Sequence, residues 1–133
     1  MRKSRVILAD KHTNMLGGIY RLLENEVKTV LMVSDEMSLY HALETHHPDV
    51  VVVDQSLSHS EETNIAWALK KKFPRIKIII LSLYDDQSVI DEVMAAGVEG
   101  YVLKRRAAID LIPAFREVLE GRKYISPDMD GVS

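Results

Sequence analysis

The stretch PDVVVVDQS, residues 48–56, decides how this sequence folds. Its four consecutive valines, residues 50–53, form an apolar run that is typical of a strand buried on both faces. Strands of that kind occur in parallel sheets, because crossover helices then cover both sides of the sheet. Pro48 separates the run from the helical pattern before it, and Asp54 follows it directly. The stretch therefore predicts a central parallel strand with a carboxylate at its end.

Short apolar runs alternate with helical periodicity on both sides of this strand. The predicted strands lie at residues 6–9, 29–33, 50–53, 77–81 and 100–103. The predicted helices begin near residues 15, 35, 61, 86 and 109. This alternation predicts an α/β fold, a five-stranded parallel sheet with helices on both faces, joined by right-handed crossovers. We expect one domain over residues 1–123, with residues 124–133 as a C-terminal tail or the start of a linker.

Composition excludes several classes of protein. A chain of 133 residues suits one domain with its own core. It has no cysteine, so it has no disulfide framework, thiolate metal site or cysteine nucleophile, which fits a cytoplasmic protein. The formal net charge of -3 argues against nucleic acid as a direct partner of this domain. No apolar run approaches the roughly 20 residues that a membrane helix needs.

Four polar residues follow the predicted strands at the points where the strands end. Asp10 follows the first strand, Asp54 the third, Ser82 the fourth and Lys104 the fifth. Because the carboxyl ends of parallel strands meet at one edge of a sheet, we expect these side chains to form one pocket. A carboxylate beside a cation can act as a nucleophile toward phosphorus and form an acyl phosphate. The pattern therefore predicts a phosphoryl-accepting pocket.

The same residues do not support an independent enzyme. The first strand is followed by DKHTN, residues 10–14, which is not a glycine-rich phosphate loop. The chain also lacks a GxSxG nucleophile motif. We therefore expect a signalling or interaction domain.

In their order and spacing these motifs resemble the receiver domains of two-component response regulators. The resemblance runs from Val6 to about Pro127 and rests on ILAD, PDVVVVDQS, IIILS and GYVLK at successive strand ends. The closing stretch GRKYISP is similar to the NarL/FixJ (LuxR-type) branch, in which a helix-turn-helix DNA-binding domain normally follows. The resemblance implies the flavodoxin-like (βα)5 fold and a function in phosphorelay signal transduction and transcription regulation.

The resemblance also implies a role for each of these positions. Asp54 is implied as the phospho-acceptor and Lys104 as the cation that pairs with it or with the phosphoryl group. Ser82 is implied as the switch hydroxyl, and Tyr101 as the aromatic side chain that follows its movement. The implied cofactor is Mg²⁺, with three ligand positions: Asp10, Asp54 and the backbone carbonyl of Ser56.

The sequence departs from the family in two places. The family has two acidic residues after the first strand, and here the second is Lys11. A unit charge pair at 4 Å is worth about 4 kcal/mol at an effective dielectric constant near 20, so a cation at this position is expected to weaken Mg²⁺ binding. The proline and glycine that usually follow the acceptor are replaced by Ser58 and Glu62.

Two interpretations follow from these departures. In the first, Asp54 is phosphorylated although the metal binds weakly. In the second, the chain is an atypical pseudo-receiver, a phosphorylation-independent interaction module in which Lys11 lies near the metal position and pairs with Asp54 or Asp10. His12 and His59 lie near the same rim in sequence, and we expect both to have only a surface role.

The resemblance implies a sensor histidine kinase or another signalling protein as partner. It also implies a homodimer through the fourth helix, fifth strand and fifth helix, with Val89, Val93, Tyr101 and Arg105 on that face. We expect this domain to contact neither nucleic acid nor membrane. Because the chain ends at Ser133, just beyond the start of the expected linker, we expect a DNA-binding domain to follow in a longer protein.

Overall fold

The computed structural model describes residues 4–57 and 65–127, in which strands and helices alternate. The strands are β1 Arg5–Ala9, β2 Thr29–Val33, β3 Val50–Asp54, β4 Lys77–Ser82, β5 Gly100–Leu103 and β6 Tyr124–Ile125. The helices are α1 Thr13–Leu23, α2 Glu36–His46, α3 Ile65–Lys72, α4 Gln87–Ala95 and α5 Ala107–Leu119. Two short 3-10 helices, Gln55–Leu57 and Lys104–Arg106, directly follow β3 and β5. The predicted positions Ser58, His59 and Glu62 lie outside the described residues.

All strand pairs are parallel, and the order in the sheet is β2-β1-β3-β4-β5-β6. The predicted α/β class and parallel sheet are confirmed, but the expected five strands become six. The additional strand β6 pairs with β5 through Gly100 opposite Tyr124 and Tyr101 opposite Ile125. Its residues fall in the stretch that was expected to be a tail. A two-residue strand carries too little periodicity to be recognised in a sequence.

The valines of β3 face both layers of the core, as the sequence of residues 48–56 predicts. Val51 and Val53 belong to the cluster that packs against α2, α3 and α4. Val50 and Val52 belong to the cluster that packs against α1 and α5. Successive side chains of a strand point to opposite faces, so a strand buried on both faces must be apolar at every position. Among residues 4–57 and 65–127, no helix has the length and apolar character needed to cross a membrane.

Side chains and a glycine define the ends of α2 and α4. Asp35 caps α2 by accepting a hydrogen bond from the backbone N–H of Ser38 at 2.7 Å. Gly97 lies just beyond α4 with φ of 99°, a left-handed conformation that terminates a helix at little cost in a glycine. These local signals set where the chain leaves each helix and returns to the sheet.

Asp110 joins α5, the preceding 3-10 helix and the segment after β6. Its carboxylate accepts hydrogen bonds from Arg106 at 2.7 and 3.1 Å and from the Ser126 hydroxyl at 2.8 Å. The Ser126 hydroxyl oxygen in turn accepts a hydrogen bond from the backbone N–H of Leu103 at 3.0 Å. Burial alone would raise the pKa of Asp110, but hydrogen bonds from Arg106, Ser126 and Tyr124 lower it. The carboxylate therefore stabilises the fold in its ionised form.

We expect the S126A variant to lose about 1–3 kcal/mol of unfolding free energy, because the buried N–H of Leu103 loses its partner and Oδ2 of Asp110 keeps only its hydrogen bond from Arg106. Urea denaturation of the purified chain measures this change. The matched control is S88A at an exposed position of α4, which should change stability by less than about 0.5 kcal/mol. Equal urea midpoints for S126A and the wild type would contradict the structural role of Ser126.

The lowered pKa of Asp110 also makes part of the stability depend on pH. A carboxyl group whose folded pKa lies below its ordinary value of 3.8 contributes stability above that value, and loses it as the pH falls toward the folded pKa. We therefore expect the stability difference between wild type and D110N to be constant near neutral pH and to shrink on acidification below about pH 5. Urea denaturation over a pH series measures it. D91N, which removes an exposed carboxylate outside this network, is the control. A difference that grew on acidification would be incompatible with the proposed ionised role.

Candidate functional site

The parallel strands bring Asp10, Asp54 and Lys104 into one buried pocket at their carboxyl ends. Asp10 follows β1, Asp54 ends β3, and Lys104 follows β5. All three side chains are buried, and the Lys104 ammonium contacts Oδ2 of Asp54 and lies 3.6 Å from Oδ2 of Asp10. Ser82 ends β4 on the strand next to Asp54, as the rim argument expects, but its hydroxyl has a different partner. The pocket therefore contains two carboxylates and one ammonium.

The two carboxylates of the pocket differ in their affinity for a proton. Burial and the neighbouring Asp54 raise the pKa of Asp10. Burial alone would raise the pKa of Asp54 as well, but the neighbouring Asp10, the Lys104 ammonium and the hydrogen bond from the backbone N–H of Ser56 lower it. Two carboxyl groups that share a buried site cannot both ionise freely, so one of them retains the proton more strongly. Asp54 therefore has the lower pKa of the two, and an ionised carboxylate is a competent nucleophile.

The turn after β3 holds the Asp54 carboxylate in position. Ser56, in the 3-10 helix Gln55–Leu57, donates its backbone N–H to Oδ1 of Asp54 at 3.0 Å. Together with Lys104 on Oδ2, this bond assigns each carboxylate oxygen a partner. Ser56 itself is exposed. The residue predicted as a carbonyl ligand thus contacts Asp54 through its N–H.

His12 is the site residue that the sequence reasoning missed. Its backbone N–H donates to Oδ1 of Asp10 at 2.8 Å, and its Nδ1 lies 3.1 Å from the same oxygen. The same Nδ1 lies 3.4 Å from Oδ2 of Asp54 and 3.5 Å from the Lys104 ammonium. The side chain is 56% exposed, as a surface role requires, but its ring nitrogen also lies against both carboxylates, which the sequence did not lead us to expect. An aspartate that accepts the N–H two residues later forms a tight turn, and this two-residue spacing was the available sequence signal.

Lys11 does not take the position that the sequence suggested. Its side chain is exposed, and it forms no hydrogen bond or ion pair with any residue in the described ranges 4–57 and 65–127. The expectation that Lys11 pairs with Asp54 or Asp10 is therefore wrong. The turn that joins Asp10 to His12 leaves the Lys11 side chain on the solvent side. The cation of the pocket is Lys104.

Backbone groups of residue 84 connect Ser82 with Tyr101. The N–H of Tyr84 donates to the Ser82 hydroxyl at 3.1 Å, and the carbonyl of Tyr84 accepts a hydrogen bond from the Tyr101 hydroxyl at 2.6 Å. Tyr101 is fully buried against the α4 layer, and burial raises the pKa of its phenol. Ser82 and Tyr101 thus bind the N–H and the carbonyl of the same residue in the loop before α4.

The predicted interaction face is only partly accessible. Arg105 is exposed and pairs with Asp85 at 3.0 Å. Val89 is half-buried, whereas Val93 and Tyr101 are buried and offer no surface to a partner. The expectation that all four residues lie on the surface is corrected, because the apolar stripe of α4 packs on β5.

The donor set of the pocket fits Mg²⁺ only in part. Asp10, His12 and Asp54 each offer one ligand atom, and these atoms lie within 4.8 Å of one another. The two carboxylates suit Mg²⁺, which prefers oxygen ligands, but an imidazole nitrogen does not. The Lys104 ammonium also lies among these atoms. An imidazole nitrogen thus lies beside the two carboxylates that were predicted as ligands.

Comparisons with known proteins agree with this geometry. The Response regulator receiver domain family matches residues 6–116. The oxygen regulatory protein NreC of Staphylococcus carnosus is 33% identical over 128 residues, which cover 94% of this chain and 59% of the relative. The transcriptional regulatory protein DegU of Brevibacillus brevis is 30% identical over 127 residues, 94% of this chain and 54% of the relative. The chain thus spans somewhat more than half the length of these curated relatives.

Solved structures show the same fold. The non-phosphorylated receiver domain of the stress response regulator RcsB from Escherichia coli superposes with a TM-score of 0.86 at 28% identity, covering 94% of this chain and 99% of that chain. The RcsB–DNA complex superposes with a TM-score of 0.84 at 28% identity, covering 95% of this chain and 64% of that chain. In that complex, about a third of the RcsB chain lies outside the superposed part.

We expect K104M to lose about 3–5 kcal/mol of unfolding free energy at neutral pH, because it leaves two buried carboxylates without their cation. The D54N/K104M double variant should recover much of this loss, since it removes the repulsion between the carboxylates. Urea denaturation of the two single variants and the double variant measures the coupling. The matched control K11M removes an exposed lysine and should change stability by less than about 0.5 kcal/mol. Additive effects of D54N and K104M would show that the two side chains do not depend on each other.

Proposed function

Since the chain belongs to the response regulator receiver domain family, we propose that it accepts a phosphoryl group on Asp54 from a sensor histidine kinase. The observation that supports this best is the ionised Asp54 carboxylate, buried beside the Lys104 ammonium. A nucleophile needs an ionised oxygen, and the transferred group needs a cation close by. Both are present in the same pocket.

The chemistry is an exchange of one phosphorus bond for another. An oxygen of Asp54 attacks the phosphorus of a phosphohistidine, a P–O bond forms, and the P–N bond to the departing imidazole breaks. Lys104 moves its ammonium from the carboxylate to the phosphoryl oxygens and neutralises part of their charge. The backbone N–H of Ser56 orients the attacking carboxylate. The product is an aspartyl phosphate.

The switch in this proposal runs through Ser82 and Tyr101. The Ser82 hydroxyl leaves the N–H of Tyr84 and binds a phosphoryl oxygen. The loop before α4 then shifts. The Tyr101 hydroxyl loses its hydrogen bond to the carbonyl of Tyr84, and the Tyr101 side chain takes a new position. Phosphate biases this equilibrium because it binds one arrangement more strongly than the other.

Receiver domains generally bind Mg²⁺, which shields phosphoryl oxygens from the attacking carboxylate. Asp10 and Asp54 are the side chains of this pocket that suit it, with the carbonyl of Ser56 as a further oxygen. The donor set is mixed, so we propose that this ion binds weakly.

The output of the domain is proposed to be an altered surface around α4, β5 and α5. The loop before α4 exposes Leu83 and Tyr84, α5 exposes Ile109, and Arg105 pairs with Asp85 at the surface. We propose that a second copy of the chain binds this face in a cytoplasmic homodimer. Contact with DNA, as in the RcsB complex, would be made by a part of the protein outside this chain.

A second candidate function is a phosphorylation-independent interaction module. Lys104 and His12 already contact Asp54, so the pocket has a cationic partner for this carboxylate without metal or phosphate. A pocket with that partner can hold the domain in one state. The contacts of Lys104 and His12 with Asp54 support this candidate, whereas Lys11 does not pair with Asp54 or Asp10.

Treatment of the purified chain with acetyl phosphate and with phosphoramidate, followed by intact-mass measurement, tests the first proposal. We expect the mass of one phosphoryl group to be added to the wild type and not to D54N, and hydroxylamine to remove it as it does other acyl phosphates. The control D91N, at an exposed aspartate of α4, should react like the wild type. A wild-type chain that stays unmodified under both donors would favour the second candidate.

A further inference from the structure

We propose that Asp10, His12 and Asp54 form a mixed nitrogen and oxygen metal site that binds Zn²⁺ in preference to Mg²⁺. The proposal concerns cation binding alone. It goes beyond the proposed phosphoryl transfer and holds whether or not Asp54 accepts a phosphoryl group.

The spacing of the donor atoms matches a small tetrahedral ion. Nδ1 of His12 lies 3.1 Å from Oδ1 of Asp10 and 3.4 Å from Oδ2 of Asp54. Ligand atoms at about 2.0–2.2 Å from Zn²⁺ in a tetrahedral site lie about 3.3–3.6 Å from one another. The His12 nitrogen is therefore placed to share one ion with both carboxylates, without a change in the backbone.

The Asp10 carboxylate of this cluster also has one buried oxygen without a partner. Asp10 is 1% exposed, and its Oδ2 has no hydrogen-bond partner among the described residues. A buried carboxylate oxygen without a partner carries a free-energy cost of about 1–3 kcal/mol or more, which a metal ligand bond would remove. The nearest cation, the Lys104 ammonium at 3.6 Å, is beyond hydrogen-bond distance. Oδ2 of Asp10 is therefore available as an additional metal ligand.

The donor types select the ion. Mg²⁺ requires near-octahedral oxygen coordination and keeps several waters, whereas Zn²⁺ accepts imidazole nitrogen and carboxylate oxygen in a site of low coordination number. Two carboxylates and one imidazole are three protein ligands, which leave a fourth position for water as in other open zinc sites. The His12 side chain is 56% exposed, so an ion can reach the site from solvent.

Lys104 competes with the ion for the same oxygens. Its ammonium contacts Asp54 and lies 3.5 Å from Nδ1 of His12, so it must withdraw when the metal binds. The long side chain can move its charge outward while its stem stays in place. Metal binding therefore displaces the Lys104 ammonium, and the free energy of this displacement lowers the metal affinity.

Isothermal titration of the full 133-residue chain with ZnCl₂ and with MgCl₂ tests the proposal. We expect one Zn²⁺ per chain, bound at least about tenfold more tightly than Mg²⁺. The variant H12N should weaken Zn²⁺ binding at least about tenfold and leave Mg²⁺ binding within about threefold. Asparagine suits the N-cap position that His12 occupies before α1, so this variant is expected to fold.

Exposed histidines elsewhere bind Zn²⁺ unspecifically, so the matched control is H41N/H46N on α2. This control should retain the wild-type Zn²⁺ affinity. Visible absorption of the chain titrated with CoCl₂ is the second measurement, because tetrahedral Co²⁺ absorbs far more strongly than octahedral Co²⁺. We expect the strong bands in the wild type and in H41N/H46N and not in H12N. Zn²⁺ binding that is unchanged in H12N, that is lost in the α2 control, or that is no tighter than Mg²⁺ binding would overturn the proposal.

Discussion

The pairing of the Lys104 ammonium with the Asp54 carboxylate is the interaction on which the pocket depends. Two carboxylates buried side by side repel each other, and a medium of low polarity screens this repulsion poorly. The ammonium contacts one of them and lies 3.6 Å from the other, so the pair can stay buried. It also divides their roles, because Asp54 is held ionised while Asp10 retains a proton more readily. An ionised buried carboxylate and its neutralising cation thus arise from one contact.

The parallel sheet is what makes this contact possible. β1, β3 and β5 end at the same rim, although Asp10, Asp54 and Lys104 are far apart in the sequence. The strands are held in register by apolar side chains on both faces, so the polar residues can only emerge where the strands stop. The same rim connects Ser82 to Tyr101 through the backbone of residue 84. Packing therefore fixes the positions from which a signal could start and end.

The adjacent residues Lys11 and His12 lie differently at the rim, and only the His12 side chain contacts the carboxylates. The charge of Lys11 predicts a contact with the two carboxylates, but the turn leaves that side chain in solvent. The His12 ring lies beside the two carboxylates instead. A shift of one position changes the ligand chemistry from oxygen alone to oxygen and nitrogen. The family relationship accounts for the fold, and the residues of this turn decide which donor atoms the pocket presents.

The sequence by itself determined the α/β class, the strand positions and the set of rim residues, because hydrophobic periodicity and the residues that end each strand are local properties. The run of valines in β3 already required two covering layers. Only the tertiary structure decided that β6 joins the sheet, that Val93 and Tyr101 are buried, and that His12 enters the pocket. Those outcomes depend on side-chain direction and on contacts between residues distant in sequence, such as Ser126 with Asp110 and Lys104 with Asp54. No local pattern records them, because they exist only once the layers have packed.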